Sequence, residues 1–272
     1  MEPSPTEIPT SCLGCGAELL ADAEFCHRCG QRIPRGRLTL GGLWRELPAR
    51  VFNLERGLLH TFVDSWRRPG QTARDYVRGR RSPFVTPFTY FLVGTAMQLL
   101  AVFLNGDLLR QEVRQNIESE ERVIELLAER LGDDPARRFS ELYLGTIRQA
   151  YTYLFLTCMS VPFALFMRGF GRWLKPRYNL AETLVFSLYT TAQLILVTGL
   201  AALVTMRFGS TVHLAFMLTF YFGYTPFAAR GFFEGRGRPV LFVWIALVAA
   251  MATFFLALIA LFAFVLFSQQ PP

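Results

Sequence analysis

Long stretches of this 272-residue chain carry no charge at all. Between Phe84 and Leu104, and again between Val240 and Phe267, there is no Asp, Glu, Lys or Arg. At a rise of 1.5 Å per residue, about 20 such residues cross the roughly 30 Å hydrocarbon layer of a bilayer. Uncharged runs of that length exclude an ordinary amphipathic surface helix. Lysine is nearly missing as well: arginine supplies every basic residue except Lys175, which coding bias explains. The first eleven residues, MEPSPTEIPTS, have neither a basic nor an apolar region, so no cleaved signal peptide is expected. No nucleophile with an adjacent base and no glycine-rich phosphate loop stands out. The apolar runs hold no Asp, Glu, Lys or Arg in their interiors, which argues against a proton relay or pump. The chain is expected not to be an enzyme.

Four of the five cysteines lie between residues 12 and 29. Cys12 and Cys15 form one C-x2-C pair, Cys26 and Cys29 a second, and Gly16 and Gly30 follow the pairs directly. Two such knuckles aim four thiolates at one point, a donor set for one tetrahedral Zn²⁺ with no open coordination position. The metal is therefore expected to be structural, and to supply most of the folding energy of so small a unit. Phe25 is expected to form its apolar plug and His27 to face solvent. A pair of disulfides is the first rival, and it needs an oxidising compartment. An iron–sulfur cluster is the second.

The arginines decide the compartment. Arg67, Arg68, Arg74, Arg78, Arg80 and Arg81 precede the first uncharged run against Asp75 alone, a pattern that keeps its side of a span in the cytosol. The sequence then reads as an all-α polytopic membrane protein of about five transmembrane helices with a small N-terminal zinc ribbon. Residues 1–11 are a disordered lead, 12–31 the ribbon, 38–82 cytosolic amphipathic and juxtamembrane helices, and 83–267 the membrane domain. Spans are expected near 84–104, 149–167, 183–206, 212–229 and 240–267, with an outer helical loop over 106–148. Every inner loop is basic, which puts the N-terminus inside and the C-terminus outside. The helices of 38–66 either pack on the bundle or lie in the headgroup layer with Trp44 and Trp66 as anchors.

Glu182 and His213 fall at span ends and read as interfacial residues. Gln98, Gln193, Thr190, Thr191 and Thr198 are interior polar groups expected to hydrogen-bond between helices. Pro162 and Pro226 are candidate kinks, and Cys158 reads as packing. Arg78, Arg80 and Arg81 are candidate contacts to anionic lipid headgroups or to an acidic partner, with orientation signalling as the plainer role.

Two patches carry a resemblance. Phe25-Cys26-His27-Arg28-Cys29-Gly30-Gln31 and the set Pro69, Gly70, Tyr76, Gly79, Arg80, Arg81, Pro87 and Tyr90 resemble an uncharacterised bacterial family known only as a domain of unknown function. In that family a four-cysteine ribbon precedes several membrane spans. The resemblance covers about residues 12–92 and implies a bacterial inner-membrane location but no activity. The function that follows is a membrane-anchored zinc-ribbon interaction or regulatory module. Its expected partners are membrane lipids and a cytosolic or membrane protein, with an oligomer allowed. Acidic Glu18, Asp22 and Glu24 dilute the basic residues of the ribbon, so nucleic acid is not an expected partner. The alternative is a permease or channel-like transporter regulated by the ribbon.

Overall fold

The computed structural model describes residues 10–20, 23–34, 36–45, 54–106, 162–170, 178–233 and 238–268. Among them the chain is helical, with two isolated antiparallel bridges, Ser11 with Glu18 and Phe25 with Arg32, and no strand. The helices are α1 (Leu40–Arg45), α2 (Leu54–Arg67), α3 (Gln71–Val77), α4 (Pro87–Leu104), α5 (162–170), α6 (Leu180–Thr205), α7 (Ser210–Phe233) and α8 (Arg238–Ser268). A 3₁₀ turn, Met206–Phe208, joins α6 to α7 through Gly209, whose φ of 106° only glycine adopts without strain.

Helix ends follow local chemistry. The uncharged run from residue 84 does not become helical until Pro87, because Thr86 caps α4: its Oγ1 accepts the Thr89 N–H at 3.2 Å. Phe84 and Val85 stay outside the helix and buried, and Tyr189 donates to the Val85 carbonyl. Asn179 caps α6 in a reciprocal box, its side chain accepting from the Glu182 N–H at 3.0 Å while Glu182 accepts from the Asn179 N–H at 2.7 Å. α7 runs unbroken through Pro226 and reaches Phe233, four residues past the expected end of its span.

The central pair is α4 and α6, and they run parallel. Tyr90 donates its hydroxyl to Gln193, Gly94 lies against Ala192, and Gln98 lies against Gly199, so both helices advance together. A Cβ on Gly94 would sit 2.9 Å from the Ala192 carbonyl oxygen, which shows how closely the backbones approach. α7 returns along α6, with Thr205 against His213 near the turn and Phe186 stacked on Phe232 at 4.7 Å far from it. α8 packs on α7 through Trp244 and Phe222, stacked at 5.1 Å. α5, between α4 and α6 in the chain, is buried through Phe163 and Met167. The expected span 149–167 falls mostly outside the described residues, as do the outer loop 106–148 and Cys158.

The bundle is dressed in apolar side chains. Leu92, Leu99, Leu100 and Phe103 of α4 and Leu214, Phe216 and Phe227 of α7 are exposed, while Gln98, Gln193, Thr190, Thr191 and Thr198 are buried. One helix among the described residues, Leu180–Phe208, is long and apolar enough to cross a membrane, and 78% of its apolar window is buried inside the protein. Pro87–Ala101 and Pro239–Phe254 are shorter apolar helices.

Candidate metal centre and its docking on the loop before α4

The knuckles fold by the same local rule twice. The Cys12 N–H donates to Ala17 O and the Gly16 N–H to Cys12 O; the Cys26 N–H donates to Gln31 O and the Gly30 N–H to Cys26 O. Gly16 and Gly30 occupy φ of 73° and 66°, the left-handed region that closes each turn. The turns bring the four Sγ atoms within 4.8 Å of one another, with Cys12 to Cys29 and Cys15 to Cys26 both at 3.6 Å. A tetrahedron with metal–sulfur bonds of about 2.3 Å has edges of about 3.8 Å, so the sulfurs are spaced for one metal ion. Four cysteines and no bridging pair leave no open position on it. Tetrahedral sulfur suits zinc or iron on geometry alone.

Electrostatics within the cluster are uneven. The Cys29 backbone N–H, helped by that of Arg28, draws the Cys26 thiol down to about 6. Burial pushes Cys12 up. For Cys15 the Ala17 N–H pulls downward, but desolvation and the three neighbouring thiols outweigh it and push it to about 11. A cation supplies the charge that lets all four ionise together.

Burial along 25–33 shows what faces the body of the protein. Cys26, Gln31 and Ile33 are buried, while Phe25, His27, Arg28 and Arg32 are exposed. The expected plug, Phe25, is 55% exposed, because it precedes an inward-facing ligand and so points the other way. Ile33 and Leu38 are the buried apolar residues in its place.

Gln31 carries the docking. Its amide, 1% exposed, donates to Gly79 O at 2.7 Å and accepts from the N–H groups of Arg81 at 3.0 Å and Ser82 at 2.7 Å. The approach is close on both sides. A Cβ on Gly14 would lie 2.5 Å from Gln31 Oε1, and one on Gly79 would lie 2.8 Å from Pro34. Gly79 has φ of 104°, and the Gly79 N–H to Tyr76 O and Arg80 N–H to Asp75 O bonds make it the turn of a Schellman cap on α3. The first knuckle, the second knuckle and the loop before α4 therefore meet at one amide.

A second tie lies just after the ribbon. Arg37 grips Glu182 with two bonds of 2.8 Å, and the Asn179 side chain donates to Leu38 O at 2.8 Å. Glu182, expected at an interface, is a buried cap for α6 and the partner of the linker. His213, also expected at an interface, is buried with its Nδ1 against Thr205 Oγ1 at 2.8 Å. Sequence spacing signals the N-x-x-E box at Asn179; the motif that ends at Gln31 does not give its partners, and nothing local signals Arg37, the partners lying 48 to 145 residues away.

The three candidate arginines occupy different settings. Arg78 is exposed. Arg80 reaches Asp75 at 3.5 Å and lies over the Phe84 ring. Arg81 is buried, its guanidinium 5.5 Å from the centre of the Tyr76 ring. The loop before them is fixed from below: a Cβ on Gly70 would lie 1.8 Å from Ala228 O, and one on Gly231 would lie 2.0 Å from Pro69 O. Tyr224 adds a hydroxyl bond to Ser65 O at 2.8 Å.

Comparison with known proteins places this framework without naming an activity. Residues 55–99, from α2 into α4, match a family described as "Protein of unknown function (DUF3667)". No curated protein and no solved structure matches the chain. The matched segment contains the Pro69-Gly70 turn, the Gly79 cap, Arg80, Arg81, Pro87 and Tyr90, so its resemblance to that family falls on the loop that receives the four-cysteine unit.

Proposed function

We propose that the chain is a multi-span bacterial inner-membrane protein whose cytosolic N-terminal unit holds one structural zinc and serves as an interaction or regulatory module, without catalytic activity. The observation that carries the membrane reading is the inverted dressing of the bundle. On α4, Tyr90, Gly94 and Gln98 face α6, while Leu92, Leu99 and Phe103 face outward. A water-soluble bundle places its polar groups the other way, and exposed apolar area of this kind marks a membrane or partner surface.

Charge supports the orientation. The end of the bundle that receives the ribbon gathers Arg37, Arg67, Arg68, Arg74, Arg78, Arg80, Arg81 and Arg230, and the turn at the opposite end holds Arg207. That asymmetry favours a cytosolic ribbon, where thiols stay reduced and zinc is favoured over disulfides. In this reading the zinc locks the fold of residues 12–31, and the ribbon presents Phe25, His27, Arg28 and Arg32 to a protein partner while Gln31 holds its other face.

Reporter fusions test the arrangement. Fusions after Arg177 and Arg238 should report cytosol, and those near Ser119 and Gln269 the outer side. An outer signal at Arg177 reverses the orientation and restores the disulfide reading. The rival reading, a permease regulated by the ribbon, has one observation in its favour. Gln98 Oε1 and Gln193 Nε2 lie buried without a hydrogen-bond partner in the α4–α6 contact. Solute flux in proteoliposomes that depends on both glutamines would favour it.

A further inference from the structure

We infer that Gln31 is a metal-set latch: metal binding at the four cysteines fixes the second knuckle and thereby holds the loop 79–82 ahead of α4. The inference rests on the metal reading above and adds a consequence for the membrane domain. One residue, Gly30, separates the ligand Cys29 from Gln31, and the Gln31 backbone oxygen is itself bonded to the Cys26 N–H at 2.8 Å. The knuckle that holds two sulfurs therefore fixes the Gln31 backbone, and with it an amide whose three bonds all go to one loop.

All three receiving groups bond to the Gln31 amide. Gly79 and Arg81 are buried, and the N–H groups of Arg81 and Ser82 both point at one Gln31 oxygen. Once the metal leaves, the unit has almost no apolar core to hold its turns. Gln31 then withdraws, and a carbonyl and two amides lose their bonds to it, a state that is relieved by opening the loop to water. The loop that opens carries Arg80 and Arg81 and leads within a few residues to Pro87, the first residue of α4. Metal occupancy in the cytosolic unit is thus communicated to the start of the first expected span. The route is local and contiguous: Cys29, Gly30, Gln31, loop 79–82.

Hydrogen exchange with mass spectrometry on the full-length protein in nanodiscs tests this. Peptides covering 78–86 are compared in zinc-loaded protein, in protein stripped with a chelator, and in zinc-loaded Gln31→Ala and Gln31→Glu. Stripping and Gln31→Ala should each speed exchange of the Arg81 and Ser82 amides by about tenfold or more. Gln31→Glu still accepts from both amides but cannot donate to Gly79 O, so its exchange should fall between. Zinc content is measured on each sample, so a variant that fails to fold its ribbon is recognised by lost metal. Unchanged protection in zinc-replete Gln31→Ala overturns the latch. Protection that survives stripping overturns metal control, whatever Gln31→Ala does. A chain that never binds metal is detected in the metal content itself and defeats the metal reading, not the Gln31 contact.

Discussion

Removing Arg37 should cost more than neutralising its partner. The Glu182 side chain is 4% exposed and Arg37 is 54% exposed, so the pair is half in water. Breaking a fully buried pair costs about 3–5 kcal/mol and an exposed one about 0–1. For Arg37→Ala the intermediate setting gives about 2 kcal/mol. The carboxylate left behind keeps the Asn179 N–H at 2.7 Å but no cation. Glu182→Gln leaves the half-exposed Arg37 hydrated and keeps an oxygen for the Asn179 N–H, so it should cost about 1 kcal/mol. At about 2–4 °C per kcal/mol for a chain of this size, Arg37→Ala lowers the midpoint by about 4–8 °C and Glu182→Gln by about half that. Thermal unfolding in detergent, followed by tryptophan fluorescence, reads both. Arg37→Ala combined with Glu182→Gln should unfold close to Glu182→Gln alone, because the stranded charge is gone. Single variants that are equal, or a double variant equal to their sum, would refute the assignment of a buried carboxylate as the reason.

Other outcomes follow from the same geometry. Gly70→Ala places a Cβ 1.8 Å from Ala228 O at φ of 78°, so it should destabilise by about 3 kcal/mol or more and lower the yield of folded protein in size-exclusion chromatography. Arg81→Lys loses the planar cation over Tyr76 and should lower the unfolding midpoint, whereas Arg80→Lys keeps its charge beside Asp75 and should shift it little. Cys12 and Cys15 are raised, so at neutral pH the metal-free cluster holds their protons and binding must expel at least those two. Metal affinity should then rise by at least about a hundredfold per pH unit near pH 7 and fall correspondingly with acid, as measured by competition with a chelator.

The sequence shows the two knuckles because C-x2-C and a following glycine are complete within five residues, and the turns need nothing from elsewhere. The helices of the bundle are visible for the same reason, as runs without charge. Their ends are less so. The first uncharged run waits until Pro87 to become helical because Thr86 caps there and Tyr189 holds Val85 outside the helix. α7 continues to Phe233 because its last turns pack under Pro69 and Gly70. What joins the ribbon to the bundle lies beyond any local pattern. Gln31 reads as the polar residue that ends the ribbon motif, and its importance comes from a loop 50 residues further on. Phe25 was expected inward on hydrophobicity alone; alternation with Cys26 turns it out.

The central claim is a single metal held by four thiolates in a cytosolic unit. X-ray absorption at the zinc edge of the purified full-length protein tests it most directly. The account predicts one zinc per chain with four sulfur neighbours at about 2.3 Å, lost in Cys26→Ser. Iron in its place, nitrogen or oxygen in the first shell, or metal-free chains with oxidised cysteines would contradict it.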